Sequence, residues 1–494
     1  MAQSSVLKSQ SFLRSLTIER AAAIIIFALL FALAARVPVD TDTWWHIRSG
    51  EWTLTHGMIH TDPFSFTFNG QSWINHSWGA QIILYGVWQI AGMFGLAVYM
   101  AGLATAGMYF IYRMSAGNTY LRAFALIVGA ATAAVFWSPR PQMLSFFLST
   151  VILYLLFLHK RKRIDRLWLI PILMAIWGNL HAGFSIGFIF MGGVIAGAIL
   201  EQILAPKAEY AVGWRGIRKL ILIALISGAA LIINPYGLQM LAVPFQTVSI
   251  GALRAYIQEW NSPNFQERQT WAFIGLLLGV LGAAGASKLR LTWTDFILVA
   301  GTAFMALLAG RNIAVFAVTA TPVLTFHLDS ILQERGWTLR PVTRTTPLMA
   351  RLNLLLVIVV LLGSAAKVLL VLDDRTVDPV VRAVLPVEAV EYLQDNPPTG
   401  NMFNSYNWGG YLMWALPDQP VFVDGRTDLY GDDFLQRWLH TATGGDEWRA
   451  VLDEYDIDFT VIEAGGGLAA RLAEEPGWRE AHRDDLAVIY VRES

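Results

Sequence analysis

The sequence predicts a polytopic α-helical membrane protein of about 11 transmembrane helices, followed by a small C-terminal α/β domain outside the membrane. Three observations predict it. Hydrophobic residues make up 55% of the chain and charged ones only 15%, with a mean hydropathy of +0.47. Long uncharged stretches follow one another almost continuously to Leu372. Beyond Leu372, Asp, Glu, Arg, Pro and Gly return together. A soluble chain carries about 25% charge, so the deficit excludes a soluble enzyme, a disordered chain and a nucleic-acid binder. The net charge of −1 points to no polyanionic partner, and the absence of cysteine removes disulfides, thiol nucleophiles and cysteine-bound metals.

A membrane helix needs about 20 apolar residues. The stretches that qualify are Ala21–Ala35, Phe94–Tyr112, Ala123–Trp137, Gln142–Leu158, Leu167–Gly178, Phe184–Leu200, Leu220–Ile233, Trp271–Ser287, Phe296–Gly310, Ile313–Phe326 and Leu352–Leu372. The first lacks a small-residue cleavage site and reads as a membrane helix, not a removable signal. Trp78–Gly92 is apolar but short, and is assigned as interfacial or re-entrant. Breaks at Asn179-Leu180-His181-Ala182-Gly183 and Asn234-Pro235-Tyr236-Gly237 favour turns. With this assignment 20 Lys and Arg lie on the side of the amino end and 6 on the opposite side of the membrane domain, the tail not counted. The positive-inside rule then makes residues 1–20 cytoplasmic, and puts the first loop (37–77) and the domain at 373–494 outside. In that domain Val421–Asp424, Phe459–Glu463 and Ala487–Val491 read as strands, and Val387–Leu393, Asp433–His440, Glu447–Tyr455 and Leu468–Glu474 as helices.

Strongly polar motifs collect on the outer side: Asp40-Thr41-Asp42-Thr43-Trp44-Trp45-His46, Ser138-Pro139-Arg140-Pro141-Gln142, Asn179 with His181, Asn234 with Tyr236, Glu259 and Arg311-Asn312. Polar groups near lipid are costly and generally face a cavity or partner, so an outward-opening wet cavity is expected. Plain alternatives stand beside this. Arg140 and Arg311 can be snorkelling anchors, His181 an interhelical hydrogen-bonding group, Trp44 and Trp45 interfacial aromatics, and Asn234-Pro235-Tyr236-Gly237 a turn. Lys160–Arg163 reads as cytoplasmic charge. Asp42 can cap a helix starting near Thr43. Shielded beside a Trp-rich segment, Asp40 or Asp42 can equally serve as a general base or hold an acceptor hydroxyl or divalent cation.

The stretches Asp40–Gly50, His56–Ser65 and Gly70–Trp78, following a first membrane helix, resemble the first loop of the GT-C superfamily of membrane glycosyltransferases. The likeness is greatest to a bacterial group related to protein mannosyltransferases and lipid A aminoarabinose transferases. The Arg140, Asn179, Asn234 and Arg311 motifs and the tail also look like that group. The resemblance implies a GT-C-like enzyme of the bacterial cytoplasmic membrane that transfers a sugar, with inversion, from a polyprenyl-phosphate donor to an extracytoplasmic acceptor. That acceptor is left open among protein, lipid and glycan. The resemblance puts the catalytic acid at Asp42 or Asp40, and the donor phosphate at Arg140, Arg311 and His181. Cavity or acceptor roles fall to His46, Trp45, His76, Asn179, Asn234, Tyr236, Glu259 and Asn312. In the tail, Ser405–Leu412 and Val421–Asp428 are similar to a region of oligosaccharyltransferase catalytic subunits, although Tyr406-Asn407-Trp408 replaces its Trp-Trp-Asp core. That likeness makes Asp424, Arg426 and Asp428 an expected acceptor-facing rim, with Trp408 an expected acceptor or cavity residue.

Two other classes compete. A transporter or flippase also needs a polar cavity, yet no inner-face motif or inverted repeat is visible. A scaffold needs far fewer spans. A divalent metal is conceivable at the outer carboxylates Asp40, Asp42, Glu51, Asp62 and Glu259.

Overall fold

The computed structural model describes residues 16–249, 251, 258–337 and 345–493. Most of the amino-terminal segment, and Arg254, Arg340 and Arg344 of the charge tally, lie outside the described residues.

The chain is mainly helical. In order it forms α1 (Ile18–Ala34), α2 (Thr43–His56), α3 (Trp78–Met114), α4 (Thr119–Ala133), α5 (Gln142–Lys162), α6 (Leu169–Leu180), α7 (Ser185–Leu204), α8 (Gly213–Ala230), α9 (Val243–Ser249), α10 (Trp271–Ala286), α11 (Trp293–Leu308), α12 (Ile313–Glu334) and α13 (Pro347–Val371). Local chemistry sets several of the starts. The side chains of Thr17, Asn118, Thr292 and Thr346 accept hydrogen bonds from first-turn amides of α1, α4, α11 and α13. Pro347 then supplies the fixed φ that suits a first helical position. Within α3 the backbone leaves helical geometry at Ala91 and at Gly92, where φ is +52°, a conformation glycine takes without strain. The apolar run from Trp78 is thereby separated from the stretch beginning at Met93.

Among the described residues seven helical segments are long and apolar enough to cross a membrane, fewer than the eleven spans expected. At 1.5 Å per residue, the 12 residues of α6 reach about 18 Å against a hydrocarbon core of about 30 Å. The 16 residues of α11 are also short of it. The break after α6 is sharp: His181 is fully extended (φ −173°, ψ 144°) and its own side chain caps the turn that leads into α7.

Two readings of individual residues are corrected in the bundle. Lys160 is not a solvated charge. It is buried and paired with Glu201 of α7, whose other oxygen accepts from the amide and hydroxyl of Thr294 (3.0 and 2.9 Å). Arg161 likewise pairs with Asp295 of α11. Trp44 and Trp45 are core residues, not interfacial ones, at 2% and 6% exposure.

After α13 come α14 (Asp374–Arg382), α15 (Val387–Asp395), β1 (Asn401–Asn404), α16 (Tyr406–Ala415), α17 (Thr427–Ala442), α18 (Trp448–Glu454), β2 (Ile457–Glu463), α19 (Gly467–Leu472), β3 (Trp478–Arg483) and β4 (Ala487–Arg492). The strands form one sheet in the order β1-β2-β4-β3. The β1–β2 pair is parallel, and the other two pairs are antiparallel, with Val461 opposite Ile489. Val421–Asp424, expected as a strand, is not one. Among the described residues its one bridge is between Val421 and Ser65, and the side chain of Asn404 takes Phe422 N–H (2.8 Å) and Val423 C=O (2.8 Å) in place of a ladder partner.

This C-terminal unit is fused to the first loop. Trp44, Trp45, Ile47, Phe64 and Trp73 share one hydrophobic core with Trp408, Tyr411, Leu412, Val421 and Phe459. The Trp44 ring lies 4.5–5.3 Å from the rings of Trp88, Tyr411 and Trp414. In the same zone Arg426 is wholly buried between Asp424 (2.6 Å) and Asp62 (2.5 Å), under the Phe64 and Trp73 rings. Removing one member of a buried ion network leaves an uncompensated charge and costs about 3–5 kcal/mol. Arg426→Met should therefore lower the unfolding midpoint of the purified protein and open the 421–442 region to limited proteolysis, whereas Arg375→Met at an exposed position should do neither.

Candidate active site

Arg140 sits between Pro139 and Pro141 at the start of α5, where ring-locked backbone on either side limits its freedom. Three carboxylates converge on its guanidinium: Asp40 at 3.1 Å, Asp42 at 2.6 Å and Glu259 at 3.2 Å. Burial alone would lower the arginine's pKa, but these three charges outweigh it and raise it. Asp42 occupies the N-cap position of α2 yet makes no side-chain cap; the Asp40 carboxylate accepts the amide of Asp42 instead (3.0 Å). The second oxygen of Asp42 accepts the indole N–H of Trp45 (3.2 Å). Both oxygens are thus oriented. Burial, opposed by Arg140 and helped by Asp40, pushes the Asp42 carboxyl up to about 6.

Asp42 opens on a cavity of about 800 Å³. Of the expected site residues, Asp40, Asp42, Trp45, His46, His76, Arg140, His181, Glu259, Arg311 and Asp428 line it together. The far wall comes from the C-terminal unit: Tyr406, Asn407, Gly425, Thr427 and Trp438. A second cavity, of about 520 Å³, shares Asp40, Arg140, Glu259 and Arg311 as a common wall and adds apolar bundle residues such as Met100, Phe136 and Ile313. Arg311 differs from Arg140. Among the described residues its one carboxylate partner is Glu259, at 3.9 Å, and its other side lies over the Trp260 ring at 4.0 Å. Among the described residues it is the cavity cation with donor capacity to spare.

The histidines are held as neutral donors. The Nδ1 of His181 accepts from the amide of Gly183 (3.1 Å) and faces the Ser145 hydroxyl (2.7 Å), which itself accepts from Trp177 Nε1 (2.8 Å). That chain leaves the proton on Nε2. His46 Nδ1 accepts from Gln81, whose carbonyl accepts from Asn75. Burial first, and Arg140 next, holds His46 well below the ordinary imidazole value, and burial also lowers His76.

Seven expected site residues lie elsewhere. Asn179 ties helix ends, donating to Ala175 and Ile233 carbonyls and accepting from Trp78. Asn234 closes its own turn through Gly237 and Tyr236, and the hydroxyl of Tyr236 donates to Ile59 C=O (2.6 Å). Asn312 donates to Met305 C=O. Trp408 is buried and donates to Val384 C=O. Asp424 and Arg426 form the buried network already described and make no acceptor rim. No metal site stands among the described residues. Each carboxylate considered for one faces an arginine: Asp40, Asp42 and Glu259 face Arg140, Glu51 faces Arg48 (2.6 Å) and Asp62 faces Arg426, so the donor set does not fit a divalent ion.

Sequence reading missed Tyr406, Asn407, Thr427, Trp438 and Gly425. The last carries a signal in hindsight: a Cβ on Gly425 would collide with the Asp42 carboxylate and the Trp45 indole, so only glycine permits the approach.

No family model matches the sequence, and no curated protein matches it. Solved structures do. The archaeal oligosaccharyltransferase AglB from Archaeoglobus fulgidus, solved with an inhibitory peptide and a dolichol-phosphate, aligns at TM-score 0.59 and 11% identity, over 96% of this chain and 74% of that one. ArnT from Cupriavidus metallidurans bound to undecaprenyl phosphate aligns at TM-score 0.52 and 13% identity, over 95% and 96%. The chain has the GT-C glycosyltransferase fold. A third GT-C structure, the arabinofuranosyltransferase AftD from Mycobacteria, aligns at TM-score 0.52 and 13% identity over 96% of this chain; the chain spans only 39% of its length. On this GT-C fold, an infrared titration should show a carboxylic-acid band appearing as pH falls through about 6 and absent from Asp42→Asn. Trp45→Phe, which removes a hydrogen bond to the charged form, should move that midpoint upward.

Proposed function

We propose that this protein is a membrane glycosyltransferase that moves a sugar from a polyprenyl-phosphate donor to an acceptor hydroxyl on the extracytoplasmic side. The observation that carries the reading is the Asp42 carboxylate, oriented at both oxygens and titrating near neutrality, in one cavity with Arg311 and donor histidines. The GT-C fold and the polyprenyl phosphates bound by ArnT and AglB support the lipid-linked donor.

The chemistry follows from the groups present. Asp42 accepts the proton of the acceptor hydroxyl as that oxygen bonds to the sugar C1. The C1–O bond to phosphate breaks with its electron pair going to the leaving oxygen, and attack opposite the leaving group inverts the centre. General-base assistance of this kind contributes about 10²–10⁴-fold. Arg311, with the Nε2–H group of His181, stabilises the departing phosphate by charge-assisted hydrogen bonds, and His76 lines the same wall. Arg140 is a positioning residue: its donors are spent on Asp40, Asp42 and Glu259, so it sets where Asp42 sits and how readily it ionises.

Transfer is expected to fall by about 10³-fold or more in Asp42→Asn, while Asp40→Asn retains turnover. In wild type the rate declines as pH drops through about 6, because the base must be ionised. Asp40→Asn removes a charge that raises the Asp42 value and shifts this limb to lower pH; Arg140→Gln removes one that lowers it and shifts the limb upward. Mass spectrometry of lipids extracted from the purified protein should find a polyprenyl-phosphate sugar in wild type and lose it in Arg311→Ala. Wild-type protein that is folded, free of such lipid and unable to bind undecaprenyl phosphate would refute the donor assignment.

A further inference from the structure

Resting on the transferase reading, we propose that the C-terminal end of the large cavity is a saccharide subsite and that the acceptor hydroxyl is presented on an uncharged glycan. The wall there is built from two aromatic rings whose polar ends are spent inside the protein. The hydroxyl of Tyr406 is hydrogen-bonded to Thr427 Oγ1 at 2.6 Å, and the indole N–H of Trp438 donates to Asn404 C=O at 3.1 Å. The rings sit 5.7 Å apart, tilted by 47°, so each fixes the other. What they offer the cavity is ring surface in a set orientation. The electron-rich face of such a ring attracts the polarised C–H groups of a sugar, and a platform that is already ordered costs little entropy on binding.

Polar groups of matching kind stand beside the rings. Asp428 accepts the Trp73 indole on one oxygen (3.2 Å) and is otherwise exposed to the cavity. Asn407 is exposed and its side chain makes no hydrogen bond among the described residues. A carboxylate and an amide, each a planar pair of polar atoms, suit neighbouring hydroxyls on a ring. A few placed polar groups among aromatic walls are the usual means of fixing a ligand's orientation.

Charge argues against an anionic acceptor. Among the described residues four carboxylates line the cavity, Asp40, Asp42, Glu259 and Asp428, against the two guanidinium groups of Arg140 and Arg311. Burial keeps His46 and His76 from adding positive charge. Once the donor phosphate has taken Arg311, a second anion would meet net repulsion. Geometry argues against an extended peptide. One common way of reading such a chain is backbone hydrogen bonding at an open strand edge, and among the described residues no strand residue lines this cavity.

The test uses the full chain in lipid nanodiscs, free of sugar-headed detergent. Saturation-transfer NMR is recorded with four probes: mannotetraose, arabinotetraose, tetragalacturonate and an uncharged Ser/Thr-containing heptapeptide. Undecaprenyl phosphate binding is followed on the same samples by native mass spectrometry. The expected result is saturation transfer to a neutral tetrasaccharide, reduced at least five-fold in Trp438→Leu and in Asp428→Ala and retained in Trp438→Phe, with the tetragalacturonate and the peptide silent. Binding of neither neutral tetrasaccharide, binding unchanged in Trp438→Leu and Asp428→Ala, or binding of the peptide or the tetragalacturonate that Trp438→Leu abolishes would each overturn the proposal. Loss of lipid binding in wild type with saccharide binding intact would instead strike the donor assignment and leave the subsite standing.

Discussion

The convergence of Asp40, Asp42 and Glu259 on Arg140 is the constraint that shapes the rest of the site. A guanidinium held largely out of water between two prolines is costly unless carboxylates surround it. Those carboxylates come from segments 98 and 119 residues away. Satisfying one arginine therefore draws the start of the first loop and the segment bearing Glu259 onto the head of α5. The cavity lies where they meet. Burial above all, with Asp40 and Glu259 adding to it and Arg140 opposing, keeps Asp42 from ionising as readily as a surface aspartate and raises its affinity for a proton.

A second buried arginine does for the C-terminal unit what Arg140 does for the loop. Arg426 pins Asp424 to Asp62, 364 residues earlier, and the Trp44, Tyr411 and Trp414 rings pack the same seam. The consequence for function is geometric. Gly425 is carried against Asp42 and Trp45, and Tyr406, Thr427 and Trp438 are carried across from the carboxylate. The cavity is composite, with its charged floor from the helical bundle and first loop and its aromatic wall from the C-terminal unit. Neither half encloses it alone.

Much of this was legible in the sequence. Apolar run lengths located the bundle helices, the end of the Trp78–Gly92 stretch and the Asn179–Gly183 motif fall at real breaks in the backbone, and the acidic, Trp-rich stretch from Asp40 to His46 is the heart of the cavity. The errors share one cause. Asn179, Asn234, Tyr236 and Asn312 were grouped with the cavity because they are polar at a membrane boundary, but each is consumed by a nearby carbonyl. Lys160 was read as solvated because it lies in a basic run, and Glu201, its partner, is 41 residues away. Asp424 and Arg426 looked like a rim and are a buried bond.

By itself the sequence determined where the chain is apolar, where helices must break, and that a cluster of acids and aromatics follows the first helix. These are local properties, set by composition and backbone preference within a few turns. Which arginine binds carboxylates and which stays available, which polar side chains face a shared cavity, and which distant aromatic residues complete it were decided only by the tertiary structure. Pairing depends on distance between segments far apart in the chain, and burial then multiplies the energy of every pair that forms and every group left without one.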